Sequence, residues 1–200
     1  MKKLLVDYLP FEVEPDQINE SMKENNGKLV VRGVLQRAES KNQNGRVYPR
    51  EVLMKETTKY LEEQVSERRA LGELDHPDSS VVNLSNVSHN ITDMAFNGDD
   101  LVGTVEILTT PSGNILRELF KNGIKLGISS RGMGSVESVN ESGAQEVQDD
   151  FELIAFDFVS NPSTHGAFLY PMNESVDNNA SVRDGKYGRV EAVINDIMRG

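Results

Sequence analysis

The chain has few of the residue types that active sites commonly use. It has 200 residues, with no cysteine, no tryptophan and only three histidines. Without cysteine it forms no disulfide, no thiolate metal site and no cysteine nucleophile. Lys and Arg number 21 against 32 Asp and Glu, a formal net charge of −11, and the basic residues form no cluster. We therefore expect no binding to nucleic acid.

Long hydrophobic runs are absent as well. No apolar stretch is long enough to cross a membrane, and the N-terminal sequence MKKLLVDYLP reaches Asp7 too soon for a signal peptide. Hydrophobic residues make up 37% of the chain and charged residues 26%, as in soluble globular proteins. The sequence predicts a protein of the reducing cytoplasm, long enough for one domain with tails.

Strand patterns outnumber helix patterns along the chain. Branched or alternating apolar residues predict strands at 28–40, 86–96, 101–108, 124–139 and 151–163. Helical spacing predicts one helix from Pro49 to about residue 68 and another after Ser112, which can cap it, ending at Gly123. We expect an α+β domain built on a bent antiparallel β-sheet or barrel with a few helices.

The ends of the chain differ in composition from its middle. Residues 1–27 mix apolar and acidic residues and predict a flexible N-terminal arm. Residues 28–172 hold the predicted strands and helices and form the expected domain. Residues 173–200 begin as a polar tail and end in a segment with the pattern of a short helix.

Two adjacent serines stand in the sequence IKLGISSRGMGS at 124–135. Side chains alternate along a strand, so Ser130 continues the apolar row of Ile128, and Ser129 faces the other side next to Gly127. This arrangement indicates a packed Ser130 and a Ser129 with room for a substrate. A strand end with a glycine bend explains the same residues.

The residues after the serines suit a developing negative charge. Backbone N–H groups near Ser130, Arg131 and Gly132 are candidates for holding an oxyanion, with Arg131 adding positive charge. A serine nucleophile also needs a base within hydrogen-bond reach.

The three histidines are the candidate bases. His76 lies among turn residues in GELDHPD, where its side chain can point into a cleft, although a solvated loop histidine fits equally. His89 lies in a predicted strand as a half-exposed residue, and His165 follows a turn at the surface. Glu73 and His76 form an E-x-x-H pattern without the second histidine of a metalloprotease, so we expect no metal and no other cofactor.

Asp157 interrupts the apolar run LIAFDFV. A buried carboxylate is costly unless it is paired or hydrogen-bonded, so Asp157 should have a specific partner. A histidine or an arginine would serve, and a purely structural salt bridge is the alternative.

Four segments, taken in order, resemble the prohead core proteases of T4-like tailed phages, a family similar in fold and function to the herpesvirus assemblins. They are NGRVYPREVL (44–53), LGELDHP (71–77), LGISSRGMGS (126–135) and FDFVSNPS (156–163). The resemblance covers roughly residues 28–172. It implies a herpesvirus-protease-like fold and a serine endopeptidase that uses a histidine base.

The resemblance also implies roles for particular residues. The family's histidine falls on His76, its serine on Ser129 and its acidic residue on Asp157, while Arg131 and Gly132 fall where oxyanion support is expected. Relatives differ in the third member of the triad. The alternatives for that member are Glu73, Asp75 and His165.

The implied partners are phage scaffold or core proteins, the major capsid protein and the portal, inside the immature prohead in the host cytoplasm. The protein can also form a homo-oligomer. A non-catalytic component of a prohead core or tube-like ring is the alternative, but such a protein should have lost His76 or Ser129, and both are present.

The family is made as precursors and prefers to cut after glutamate, with an aliphatic residue two positions earlier. Ile18-Asn19-Glu20 in the predicted arm fits this pattern, and Met172-Asn173-Glu174 fits it more loosely. Glu20 and Glu174 are therefore candidate autocleavage sites, although such short matches also arise by chance in an acidic chain. Two further matches, ending at Glu73 and Glu118, lie in or beside predicted folded elements and should resist cleavage.

Overall fold

The structure is a computed structural model, and it describes residues 1–160 except 12, 14, 76 and 140–142. Ten strands and three helices occur in this part of the chain. They are β1 (Lys3–Phe11), α1 (Pro15–Glu24), β2 (Leu29–Arg37), β3 (Arg46–Val47), α2 (Arg50–Tyr60), β4 (Leu71–Glu73), β5 (Val87–Asn97), β6 (Asp100–Ile107), α3 (Pro111–Lys121), β7 (Leu126–Gly134), β8 (Val136–Val139), β9 (Ala144–Val147) and β10 (Glu152–Val159). A π-helical turn, Leu61–Val65, continues α2.

The strands form three sheets that are mainly antiparallel. Their orders are β1-β7-β10, β2-β6-β5-β4 and β3-β9-β8, with β3 and β9 as a parallel pair. Register shifts in β2, β5 and β10 indicate bulges, which bend strands. The first two sheets meet where Leu74, just after β4, forms a parallel bridge with Phe158 of β10. The expected α+β class is confirmed, although the strands described do not close into a barrel.

Most of the predicted elements are present. The strand after Lys28, the hairpin of β5 and β6, and the strands β7 and β10 lie where the pattern placed them. The helix after Pro49 extends to Val65, and the α3 helix is followed by Gly123 at a φ of 67°. Its N-cap is Thr110 rather than Ser112, because the Thr110 hydroxyl accepts a hydrogen bond from the Gly113 N–H at 3.0 Å.

The N-terminal segment differs from the flexible arm that its composition predicts. Residues Lys3–Phe11 pair with β7 along their whole length, and α1 lies against β2. Leu5, Phe11 and Ile18 are at most 1% exposed. These apolar side chains are buried in the core, so the segment belongs to the domain. Local composition did not reveal this, because the strand pairing is with residues far along the chain.

A cluster of rings forms the core between the first two sheets. The Phe158 ring makes edge contacts with Phe11, Phe120 and His89, at centroid distances of 5.1, 5.4 and 4.7 Å. Phe11 fits closely over β2 because Gly33 has no side chain, and a Cβ at position 33 would lie 2.4 Å from the Phe11 ring. The cluster therefore joins β1 to β10 and α3. No helix in the described part of the chain is long and apolar enough to cross a membrane.

Leu5→Ala tests whether the N-terminal strand is part of the core. Removing a fully buried leucine should lower the free energy of unfolding by about 2–5 kcal/mol, because a cavity is left behind. The matched control, Leu84→Ala, removes a leucine that is 73% exposed and should change stability by about 0.5 kcal/mol or less. Urea denaturation measures both. Equal stabilities of the two variants would show that β1 is an appendage.

Candidate active site

Strand β7 carries both serines and lies at the centre of its sheet. It pairs with β1 on one side and with β10 on the other, and Ser129 stands opposite Asp157 of β10. The Ser129 side chain is fully buried, and its hydroxyl has no hydrogen-bond partner among the described residues. The open space that the sequence predicted next to Ser129 is absent, because both faces of β7 are covered.

Ser130 is packed, as its position in the apolar row predicted. It is 2% exposed, and its hydroxyl accepts a hydrogen bond from the Gln36 side-chain amide at 2.7 Å. The same hydroxyl donates to the backbone carbonyl of Asp7 at 3.0 Å. Ser130 therefore connects β7 to β2 and β1, and its hydroxyl is engaged in structure.

The NGRVY part of the first motif holds the side chain of Asp7. Arg46 donates to both carboxylate oxygens, at 2.9 and 3.0 Å, while Tyr48 and Asn44 donate at 2.5 and 2.6 Å. Burial and the neighbouring Asp7 charge raise the pKa of the Tyr48 hydroxyl well above its ordinary value. Tyr48 therefore remains a hydrogen-bond donor, and the motif joins the 44–48 segment to β1.

Arg131 lies two residues after Ser129 and is completely buried. Its Nε donates to Asp157 at 2.8 Å, and its Nη2 donates to Glu73 at 3.0 Å and to the other Asp157 oxygen at 3.2 Å. Its Nη1 donates to the backbone carbonyls of Ser79 and Val81, at 2.8 and 3.4 Å. A guanidinium has five N–H donors, so all five are occupied.

The partner of Asp157 is therefore an arginine. Its carboxylate also accepts the backbone N–H of Glu73 at 3.0 Å. Burial raises the pKa of Asp157, and the charge of Arg131 opposes that effect. The prediction of a specific partner is confirmed. Direct orientation of His76 by Asp157 stays a prediction, and both Asp157 oxygens are already engaged by described residues.

In the sequence, Glu73 was a candidate site residue only through the E-x-x-H pattern and as an alternative third member, and it also ended a match to the cleavage pattern. Its Oε1 accepts from Arg131 and from the backbone N–H of Asn83 at 3.0 Å. Its Oε2 is buried without a partner among the described residues. A carboxylate within the mainly apolar run ALGEL (70–74) could have indicated that Glu73 is buried and paired, by the same reasoning as for Asp157.

The oxyanion role predicted for Arg131 and Gly132 does not follow from this geometry. The Arg131 guanidinium has no free N–H, and the backbone of both residues lies in a strand paired on both sides, where N–H groups point to neighbouring strands. A Cβ at Gly132 would lie 2.4 Å from the Phe151 ring, so close packing explains this glycine. An oxyanion contact here stays a prediction and requires the pairing to open.

His76 lies outside the described residues, as do His165 and Glu174. Its neighbours along the chain are placed. Asp75 has a φ of 64° and donates its N–H to the carbonyl of Phe158 at 2.7 Å. The chain just before position 76 therefore lies beside β10, the strand that pairs with β7 at Ser129.

His89 was expected to be half-exposed and is instead completely buried. Its Nε2 lies 2.8 Å from the carbonyl of Phe156 and its Nδ1 lies 2.8 Å from the Ser88 hydroxyl. A carbonyl only accepts, so Nε2 carries the proton and Nδ1 accepts from Ser88. Burial lowers the pKa of His89 to about 4. Its ring packs on Phe158, which faces away from Asp157 on β10, so His89 is not a base for Ser129.

Proteins of known function resemble this chain both in fold and in sequence. The structure is similar to the capsid assembly protease of bacteriophage T4, with a TM-score of 0.70 and 28% identity over 80% of this chain and 99% of that one. The sequence is 35% identical to the prohead core protein protease of Enterobacteria phage T4, over 72% of this chain and 68% of the relative. The fold and these relatives define a capsid-assembly protease. The model of the prohead core protein serine protease family matches residues 6–178, and the chain belongs to that family.

The buried His89 predicts a loss of stability in acid. Its pKa lies below the ordinary value of 6.5, so its contribution is complete above pH 6.5 and falls as pH drops toward 4. The loss from this residue should reach about 3 kcal/mol at pH 4. Urea denaturation at several pH values, compared with His89→Gln, measures it. A His89→Gln protein with an equally steep pH dependence would contradict this assignment.

Proposed function

We propose that this protein is a serine endopeptidase of phage prohead maturation, which cuts scaffold or core proteins and capsid protein. Membership of the prohead core protease family supports this role. The observation that carries the serine mechanism is the Ser129 hydroxyl, buried without a partner among the described residues beside a charged cluster. A buried hydroxyl without a hydrogen bond is costly and suggests a function.

In the proposed mechanism, His76 takes the Ser129 proton as the hydroxyl oxygen attacks the scissile carbonyl carbon. The tetrahedral intermediate collapses when His76 gives this proton to the leaving amine. Water then attacks the acyl-enzyme with His76 again as base, which releases the acid product and restores the serine. Asp157 supports this pair as the acidic member, acting through its contacts with Arg131 and Glu73.

The proposed partners follow from this role. They are scaffold and core proteins, the major capsid protein and the portal, inside the immature prohead in the host cytoplasm. The net charge of −11 disfavours binding to nucleic acid. A second copy of the chain is a further partner.

Replacing the two serines one at a time tests the nucleophile. Ser129→Ala should abolish cleavage of the cognate scaffold protein, because no other hydroxyl takes its place. Ser130→Ala is the matched control and should keep measurable activity, since Ser130 bonds to Gln36 and Asp7. Mass spectrometry of the cut ends measures the rates. Full activity in the Ser129→Ala protein would remove Ser129 from the mechanism, and a non-catalytic core component would show no cleavage in any form.

The proposed specificity is cleavage after glutamate, including self-processing at Glu20 or Glu174. The structure changes the expectation for Glu20, which lies in α1 rather than in a flexible arm. Ile18 is 1% exposed, and the Ser21 hydroxyl bonds to both the carbonyl and the N–H of Val30, at 2.6 and 2.9 Å. Cleavage after Glu20 therefore requires local opening of α1. The two sites expected to resist, at Glu73 and Glu118, lie in β4 and α3.

Mass measurement on active protein tests self-processing. A cut after Glu20 or Glu174 should appear under denaturing conditions in the active form and be absent from Ser129→Ala. After a cut at Glu20 the fragment keeps β1 paired with β7, so under native conditions the fragment should remain bound. An unchanged denatured mass in a protein that cleaves its substrate would exclude self-processing.

A further inference from the structure

The proposed nucleophile and the proposed base come from distant parts of the chain. Ser129 lies on a central strand, whereas position 76 lies in the segment between β4 and β5. Efficient proton transfer needs the two side chains within hydrogen-bond reach of each other. The described residues between Asp75 and Asn86 form no helix or strand, so other contacts must hold this segment against β7.

Arg131 contacts the end of β4 before position 76 and the segment after it. Its Nη2 donates to Glu73, three residues before, and its Nη1 donates to the carbonyls of Ser79 and Val81, three and five residues after. Arg131 itself lies two residues after Ser129, on the same side of β7. One guanidinium therefore joins the strand of the nucleophile to both flanks of the histidine.

We propose that Arg131 is a positioning residue that holds the segment carrying His76 against the strand carrying Ser129. This inference rests on the proposed function. It assigns to Arg131 neither an oxyanion contact nor a bond to His76. Asp157 and Glu73 complete the assembly by fixing the orientation of the guanidinium.

The contacts require an arginine. The planar guanidinium reaches two carboxylates and two carbonyls at once, with every N–H used. A lysine at this position has three donors on one atom and cannot reach the same acceptors from one place.

The discriminating substitution is Arg131→Lys, which keeps the positive charge but removes the planar guanidinium group and its several donors. Hydrogen exchange of the amides in residues 78–86 should accelerate about tenfold or more, because charge-assisted hydrogen bonds to the segment are lost. The Asn83 amide is the most informative, since it donates to Glu73 Oε1. For cleavage of a scaffold peptide, kcat should fall about tenfold or more with little change in KM, because base and nucleophile lose alignment after the substrate has bound.

The matched control is Arg46→Lys. Arg46 also binds a buried aspartate, Asp7, but contacts no residue of the 75–86 segment among its hydrogen bonds. This control should leave exchange in 78–86 unchanged. If Arg131→Lys does not fold by circular dichroism, the double variant Arg131→Gln with Asp157→Asn removes one charge of each sign and should show the same exchange effect. Only exchange is read in this variant, because Asp157 is itself proposed as the acidic member of the mechanism.

Each outcome decides the proposal. Faster exchange in 78–86 with reduced kcat supports it. Unchanged exchange overturns it, and a reduced kcat in that case assigns Arg131 to the reacting groups instead. Faster exchange with full activity also overturns it, because the segment then needs no such tie. If the unsubstituted protein cleaves nothing, the proposed function fails, while exchange still reports whether Arg131 holds the segment.

Discussion

The buried guanidinium of Arg131 is the interaction on which the arrangement of the candidate site depends. It binds Asp157 of β10, Glu73 of β4 and two carbonyls of the segment after position 76, all from a strand that also carries Ser129. Removing the cation would leave two carboxylates buried without a counter-charge, which costs far more than an exposed ion pair. In addition to the bridge between Leu74 and Phe158, these ion pairs therefore join the first two sheets by charge where the chemistry is proposed.

A second buried carboxylate stabilises the other side of β7. Asp7 is held by Arg46, Tyr48 and Asn44, and its carbonyl accepts from Ser130. The two clusters lie on either side of the serine pair and involve opposite neighbours of β7. The Ser130 hydroxyl is hydrogen-bonded to the neighbouring strands, while the Ser129 hydroxyl has no partner among the described residues. Adjacent residues of the same type thus receive different roles from the alternation of a strand.

Much of the fold and part of the site were predictable from the sequence. The β5–β6 hairpin, α3 and β7 have strong local patterns, and alternation alone separated Ser129 from Ser130. The need for a partner at Asp157 followed from one charge in an apolar run. The prediction of a flexible N-terminal arm was wrong, because the residues of β1 bury their apolar side chains against strands more than a hundred residues away. Local composition carries no information about such pairing.

The sequence by itself determined the elements, the order of the motifs and the residue types available for chemistry, because these depend on periodicity and on side-chain properties. Tertiary structure alone decided which partner Asp157 takes, that His89 is neutral in the core, and that Glu73 lies beside Arg131. Burial and hydrogen-bond geometry are properties of the assembled fold. In the sequence, an arginine next to a serine suggested oxyanion support. In the structure, the guanidinium donors of Arg131 are already used in hydrogen bonds to Asp157, Glu73 and two backbone carbonyls.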